Sequence, residues 1–175
     1  MKKTVLTYGL IAGIFVSAFM VVSMAFADHS NMVNAMLVGY SSMILAFSMI
    51  FVGVKNYRDK QNAGLISFGQ ALKLGLLIAL VASTLYVITW AIDYHYFLPD
   101  FMDKFTAKSL ENFKAEGHTP AEISAEAAKM AESNEMYKNP LFFVGITYAE
   151  ILPVGIIISF ITALVLMKSS KKAVV

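Results

Sequence analysis

Four long apolar runs, with nearly every charge held at their ends, leave this chain few possible folds. They cover about residues 4–27, 33–54, 67–92 and 141–167. Each exceeds the ~20 residues that cross a hydrocarbon core. No water reaches a backbone there, so an apolar run must satisfy its own N–H and C=O groups, which it does as a helix. The expected fold is an all-α integral membrane protein, a single membrane domain over residues 1–175. It has four transmembrane helices and an extracytoplasmic helical hairpin, within residues 93–140, between helices three and four. Charged residues are 15% of the chain and hydrophobic ones 58%, whereas soluble domains carry about a quarter charged residues. A net charge of +2 offers no footprint for nucleic acid. The absence of cysteine rules out disulfides, thiolate metal centres and redox pairs.

The flanking charges orient the runs. Lys and Arg concentrate beside the cytoplasmic ends of membrane helices. Lys2, Lys3, Lys55, Arg58, Lys60, Lys73, Lys168, Lys171 and Lys172 fall on one side, with Asp59 the only acid among them. The long segment on the other side holds nine acids and five lysines. Both termini are therefore expected in the cytoplasm and the long segment outside it, which is the periplasm in a bacterium with two membranes. Lys2-Lys3 and Ala25-Phe26-Ala27 also resemble a cleavable signal peptide. The apolar stretch between them is longer than the usual ~7–15 residues, which favours an uncleaved first helix. Tyr86, Trp90, Tyr94 and Tyr96 cluster at the outer end of the third run, and Tyr57 lies at the inner end of the second. They are expected to anchor at the headgroup level.

Small residues at four-residue spacing let helices approach closely in lipid. Gly9, Gly13 and Ser17, then Gly75, Ala79 and Ser83, then Gly155, Ser159 and Ala163 form such ridges on runs one, three and four. Run two has only Ser42 and Ala46. A tight bundle, or one that also dimerises, follows. In the long segment, a helix from Pro99 to about Glu116 ends at Gly117, with Met102, Phe105 and Phe113 on one side. Thr119-Pro120-Ala121-Glu122 reads as an N-cap, a proline at the first helical position and a capping-box glutamate. The helix it starts carries Ile123, Ala127, Met130 and Tyr137 on one stripe.

Glu150 is the only acid deep in a run. A charge at that depth costs at least ~2.5–3.5 kcal/mol, so such residues face protein, pair or stay protonated. Pro153 follows three positions later and cannot donate to the carbonyl of Ala149. Glu150 and Pro153 then form either a proton or cation site on a transport path, or a structural lock. Lys73 is the candidate ion-pair partner, and it could equally snorkel to the cytoplasmic interface. By helical-wheel angle Glu150 falls opposite the Gly155–Ser159–Ala163 ridge.

Other constellations carry less. Met20, Met24, His29, Met32 and Met36 surround the first outer turn and suit Cu(I) in type, but methionine is also ordinary apolar filler. Asp28, His29, Asp93 and His95 would make a divalent-metal site only if helices one and three adjoin. His118 falls in a turn and is expected to be solvated. Neither a bound metal nor a cofactor is expected. No hydrolase, phosphate-loop or dinucleotide motif is present.

Gly53-Val54-Lys55-Asn56-Tyr57-Arg58-Asp59-Lys60, followed by Gly64-Leu65-Ile66-Ser67-Phe68-Gly69-Gln70-Ala71-Leu72-Lys73-Leu74-Gly75, resembles the signature of the domain of unknown function 4199 family. Tyr148-Ala149-Glu150-Ile151-Leu152-Pro153-Val154-Gly155 resembles that family's last-helix motif. The resemblance covers nearly the whole chain and implies a small bacterial four-span membrane protein. It implies no catalytic residue. In that signature Gly64 permits a tight turn and Ser67 can cap the third helix. Lys55, Arg58 and Lys60 are placed to meet anionic lipid or a cytoplasmic partner. The expected role is non-enzymatic: structural, accessory or interacting with a second copy or another membrane protein. The alternative is a small transporter or channel subunit using Glu150.

Overall fold

A computed structural model of the chain describes residues 1–26 and 32–168, with the side chains of Phe26 and residues 32–35 excepted. Among the described residues six helices follow one another: α1 (Lys2–Phe26), α2 (Met32–Gln61), α3 (Phe68–Tyr96), α4 (Phe101–Ala115), α5 (Pro120–Tyr137) and α6 (Pro140–Leu166). The described residues include no strand beyond one isolated bridge. Helices α1, α2, α3 and α6 contain the four segments long and apolar enough to cross a membrane. The chain divides into two compact units, Met1–Thr89 with Tyr148–Val175, and Trp90–Thr147.

The first unit is the helical bundle, and small residues set its spacing. A Cβ placed on Gly155 of α6 would lie 2.7 Å from the Cβ of Ala79 of α3, and one on Gly75 would lie 2.9 Å from Ser159. Real Cβ atoms do not approach so closely, so these glycines let the α3 and α6 backbones touch. The two ridges expected from sequence thus pack on each other, running antiparallel. Gly9 and Gly13 of α1 meet a different face of α3, against Val81 and Leu85. Phe47 and Ile50 of α2, both fully buried, fill the space beside Gly155 and Gly75. Helix α3 therefore touches α1, α2 and α6, and its 18-residue core is the most buried of the four. Gly155→Ala is expected to cost about 1–3 kcal/mol through overpacking. Gly39→Ala, where a Cβ meets nothing within 4 Å, should leave stability unchanged or raised. Reversible unfolding in mixed micelles compares the two.

The second unit pairs α4 with α5, and Asn134 Nδ2 donates to Thr106 Oγ1 at 3.1 Å. Its turn is built as the sequence dictates. Gly117 has φ +87°, which a residue with a Cβ rarely adopts. Thr119 N donates to Glu122 Oε2 at 2.7 Å and Glu122 N to Thr119 Oγ1 at 3.3 Å, a complete capping box. His118 is not simply solvated: its ring stacks on Phe113 at 3.7 Å, between Glu116 and Glu122. The aromatic residues at the end of α3 hold protein more than they meet solvent. Trp90 Nε1 donates to Tyr137 Oη at 3.0 Å, and Tyr94 lies within 6 Å of the rings of Trp90, Tyr137 and Phe143. Of the four aromatic anchors expected at this end of α3, Tyr96 alone is largely exposed, at 79%.

The Thr119 amide and hydroxyl, with His118 nearby, hold the Glu122 carboxyl below its ordinary value. A folded value below the unfolded one means the cap contributes fully above the unfolded pKa. That contribution is lost as pH falls through the folded value. Amide protection in the first turn of α5 should therefore drop below about pH 4. In Glu122→Ala it should already be low at pH 7, as hydrogen exchange can measure.

Candidate functional site

Two places carry the polar chemistry of the bundle. The first is the end where α2 stops and α3 starts. Helix α2 continues two turns beyond residue 54, where its apolar run was expected to end, so Lys55, Arg58 and Lys60 stand on a helix and not in a loop. The basic residues of this last stretch break the run but not the helix, because Arg and Lys are good helix formers. Ala63 and Gly64 follow with positive φ, and Gly64 N donates back to Arg58 O at 2.8 Å, which closes one of the last open carbonyls of α2. Ser67 Oγ then accepts from Gln70 N, and Gln70 Oε1 from Ser67 N, so Ser67 caps α3 as its sequence suggests.

Arg58 ties this corner to α6. Its Nε donates to Asp59 Oδ1 at 2.6 Å, and a terminal nitrogen donates to the carbonyl of Leu166 at 3.3 Å, one of the open carbonyls at the end of α6. Beside it Ile66 and Lys168 exchange both backbone bonds, at 3.0 and 2.9 Å. Gln61 Nε2 reaches Thr4 Oγ1, and Asn56 Nδ2 reaches Tyr8 Oη, so α1 ends here too. Lys2, Lys3, Lys55, Arg58, Lys60 and Lys168 are thus gathered at one end of the bundle. Lys55 and Lys60 are exposed, whereas the Arg58 side chain is only 19% exposed and already engaged. Nothing in the run pattern marks Arg58 as different from its neighbours; only the docking of α6 does. Arg58→Ala should cost about 1 kcal/mol by opening the Leu166 carbonyl. Arg58→Lys should not restore it, since one ammonium cannot serve both groups with the same fork. Thermal unfolding in detergent reads both.

The second place is Glu150. Gly155, Ser159 and Ala163 face inward, and Ser159 and Ala163 are fully buried. Glu150 is turned away from them and lies on the outer surface of the bundle, next to exposed Ala149 and Pro153. Among the described residues its carboxyl has no hydrogen bond or ion pair. Helix α6 runs unbroken through Pro153, and the missing N–H leaves the Ala149 carbonyl without its helical donor.

Lys73 does not meet Glu150. The α3–α6 contacts pair Gly75 with Ser159 and Ala79 with Gly155, which sets Glu150 level with Thr84. The bond between Thr84 and Tyr148, 2.8 Å long, agrees with that register. Lys73 lies eleven residues before Thr84, about 16 Å away along the axis at ~1.5 Å per residue, beyond the reach of a lysine stem. Lys73 is exposed near the basic end.

The acid that this fold buries is another one. Asp93 is 8% exposed and its Oδ2 has no hydrogen-bond partner among the described residues. Helix α3 continues to Tyr96, a turn past the expected end of the run at 92. A signal existed in the sequence: Ala71, Leu74, Ile78, Ala82, Tyr86 and Trp90 repeat at three- and four-residue steps, and Asp93 is the next step of that buried stripe. Among the described residues no three metal-ligating side chains gather. Asp28 and His29 of the weighed metal sites, like Lys171 and Lys172, lie outside the described residues, and Met32 contributes only backbone.

Four apolar spans closed on themselves by small-residue contacts define a multi-pass, all-helical membrane protein. The chain belongs to the family described as Protein of unknown function (DUF4199), whose model matches residues 7–168. That match takes in both the Arg58 corner and the Glu150 segment. Neither the curated proteins nor the solved structures contain a match to it.

Proposed function

We propose that this is a non-enzymatic accessory protein of the bacterial cytoplasmic membrane that works by lateral contact with another membrane-embedded chain, through the face of α6 around Glu150. The carrying observation is that carboxylate's position: within the apolar span of α6, on the outside of the bundle, with no hydrogen bond or ion pair among the described residues. A charge or an unsatisfied acid facing lipid is costly enough that such groups mark a functional contact. An internal transport path is less favoured, because Glu150 points away from the α3–α6 seam, where glycines bring backbones into contact. The basic end of the bundle supports termini in the cytoplasm. On the same grounds α4 and α5 form an extracytoplasmic hairpin, and Lys55 and Lys60 meet anionic headgroups.

A photo-crosslinking residue at Ile157, one exposed position two turns along the Glu150 face, should trap a neighbour in cell membranes. The same residue at Leu45, exposed on α2, should not, and Glu150→Leu should sharply lower the Ile157 yield. Proton or cation flux in proteoliposomes that disappears in Glu150→Gln would overturn the proposal in favour of a transporter.

A further inference from the structure

Lateral contact through Glu150 leaves open what occupies the face, and the chain's own chemistry narrows the answer. Copies of one protein insert with the same orientation because the same basic end stays in the cytoplasm. Residues of two copies therefore meet only at equal depth. Lys73, the exposed cation of α3, is about 16 Å too far along the axis to serve Glu150 in either copy. What does lie at Glu150's depth in a second copy is the same short stretch of α6. It presents two groups side by side. One is a carboxyl, which donates when protonated. The other is the Ala149 carbonyl, an acceptor that Pro153 leaves without its helical N–H. Donor and acceptor on one patch make a self-complementary surface, which is what a two-fold contact requires. Ala149 is small and Pro153 compact, and both are exposed, so two such faces can approach closely. The other small-residue ridges cannot serve, since Gly9, Gly13, Gly75 and Gly155 are already filled by α3 and α6 neighbours within the chain.

We infer that the face is occupied by a second copy of this chain: α6 packs on α6 in a parallel two-fold dimer, with each Glu150 carboxyl, protonated, donating to the Ala149 carbonyl of the other copy. The inference rests on the lateral-contact proposal and names the occupant. Both carboxyls become neutral and hydrogen-bonded, and both open carbonyls gain a donor. Ile157 and Ile161, exposed further along the same side, line the rest of the seam.

The chain has no cysteine, so single substitutions report contacts without background. Full-length protein purified into phospholipid vesicles should form disulfide dimers with Ile157→Cys and not with Leu45→Cys. Energy transfer between labelled copies, followed as lipid dilutes them, should give a dimer constant about tenfold weaker in Glu150→Leu. Glu150→Gln keeps an N–H donor and should stay within a few-fold of the parent. Glu150 is on the surface of its own bundle, so Glu150→Leu is expected to fold, and helical circular dichroism checks that it does. A monomer in vesicles at high protein density overturns the inference. So does a dimer joined through Leu45, or one that Glu150→Leu leaves unchanged. If the purified protein is monomeric while Ile157 still crosslinks to a different protein in cell membranes, only the second copy is wrong. If neither experiment finds a neighbour, lateral contact fails as well.

Discussion

Everything in the bundle depends on the closeness of α3 and α6. In hydrocarbon there is no gain from burying leucine, so helices associate through van der Waals contact and hydrogen bonds. Contact at this seam requires positions with no side chain at all: Gly75 against Ser159, Gly155 against Ala79. Once that register is set, the remaining placements follow. Phe47 and Ile50 of α2 fill the groove alongside, Thr84 meets Tyr148, and α6 ends where Arg58 can reach the Leu166 carbonyl. The seam also turns Glu150 outward, because a helix that buries 155, 159 and 163 must expose 150.

The two polar places do opposite kinds of work. At the basic end, open groups are closed from within: the Gly64 turn onto the Arg58 carbonyl, the Ser67 cap, the Ile66–Lys168 pair and Arg58 on Leu166 satisfy the ends of three helices. The segment with the family signature is therefore a corner piece that joins α2, α3 and α6. Around Glu150 the bundle does the reverse: among the described residues the carboxyl has no hydrogen bond or ion pair, and Pro153 withholds from the Ala149 carbonyl its helical donor.

Much of the fold was legible in the residues. Run length gave four membrane helices, since only a helix satisfies a backbone in lipid. The hairpin's capping box and its Gly117 turn were legible because they are local, decided by residues three or four apart. Helix ends were less so. Helix α2 outruns its apolar segment because polarity, not helicity, changes at residue 55. The site was legible only in part. Glu150 stood out as the one acid deep in a run, and its angle to the Gly155 ridge already pointed it away from the seam. Its pairing with Lys73 was a matter of axial register, which spacing within one helix does not contain.

The sequence by itself thus determined the class of protein, the number of spans, the ridges and the caps, because each follows from neighbours along one helix and from the solvent around it. Only the tertiary structure decided which ridge meets which, that Asp93 is buried, that Arg58 holds the end of α6, and that Glu150 lies at the surface with no hydrogen bond or ion pair among the described residues. These depend on rotation and sliding between helices. In a membrane that choice rests on a few close contacts between small side chains, and no single run encodes it alone.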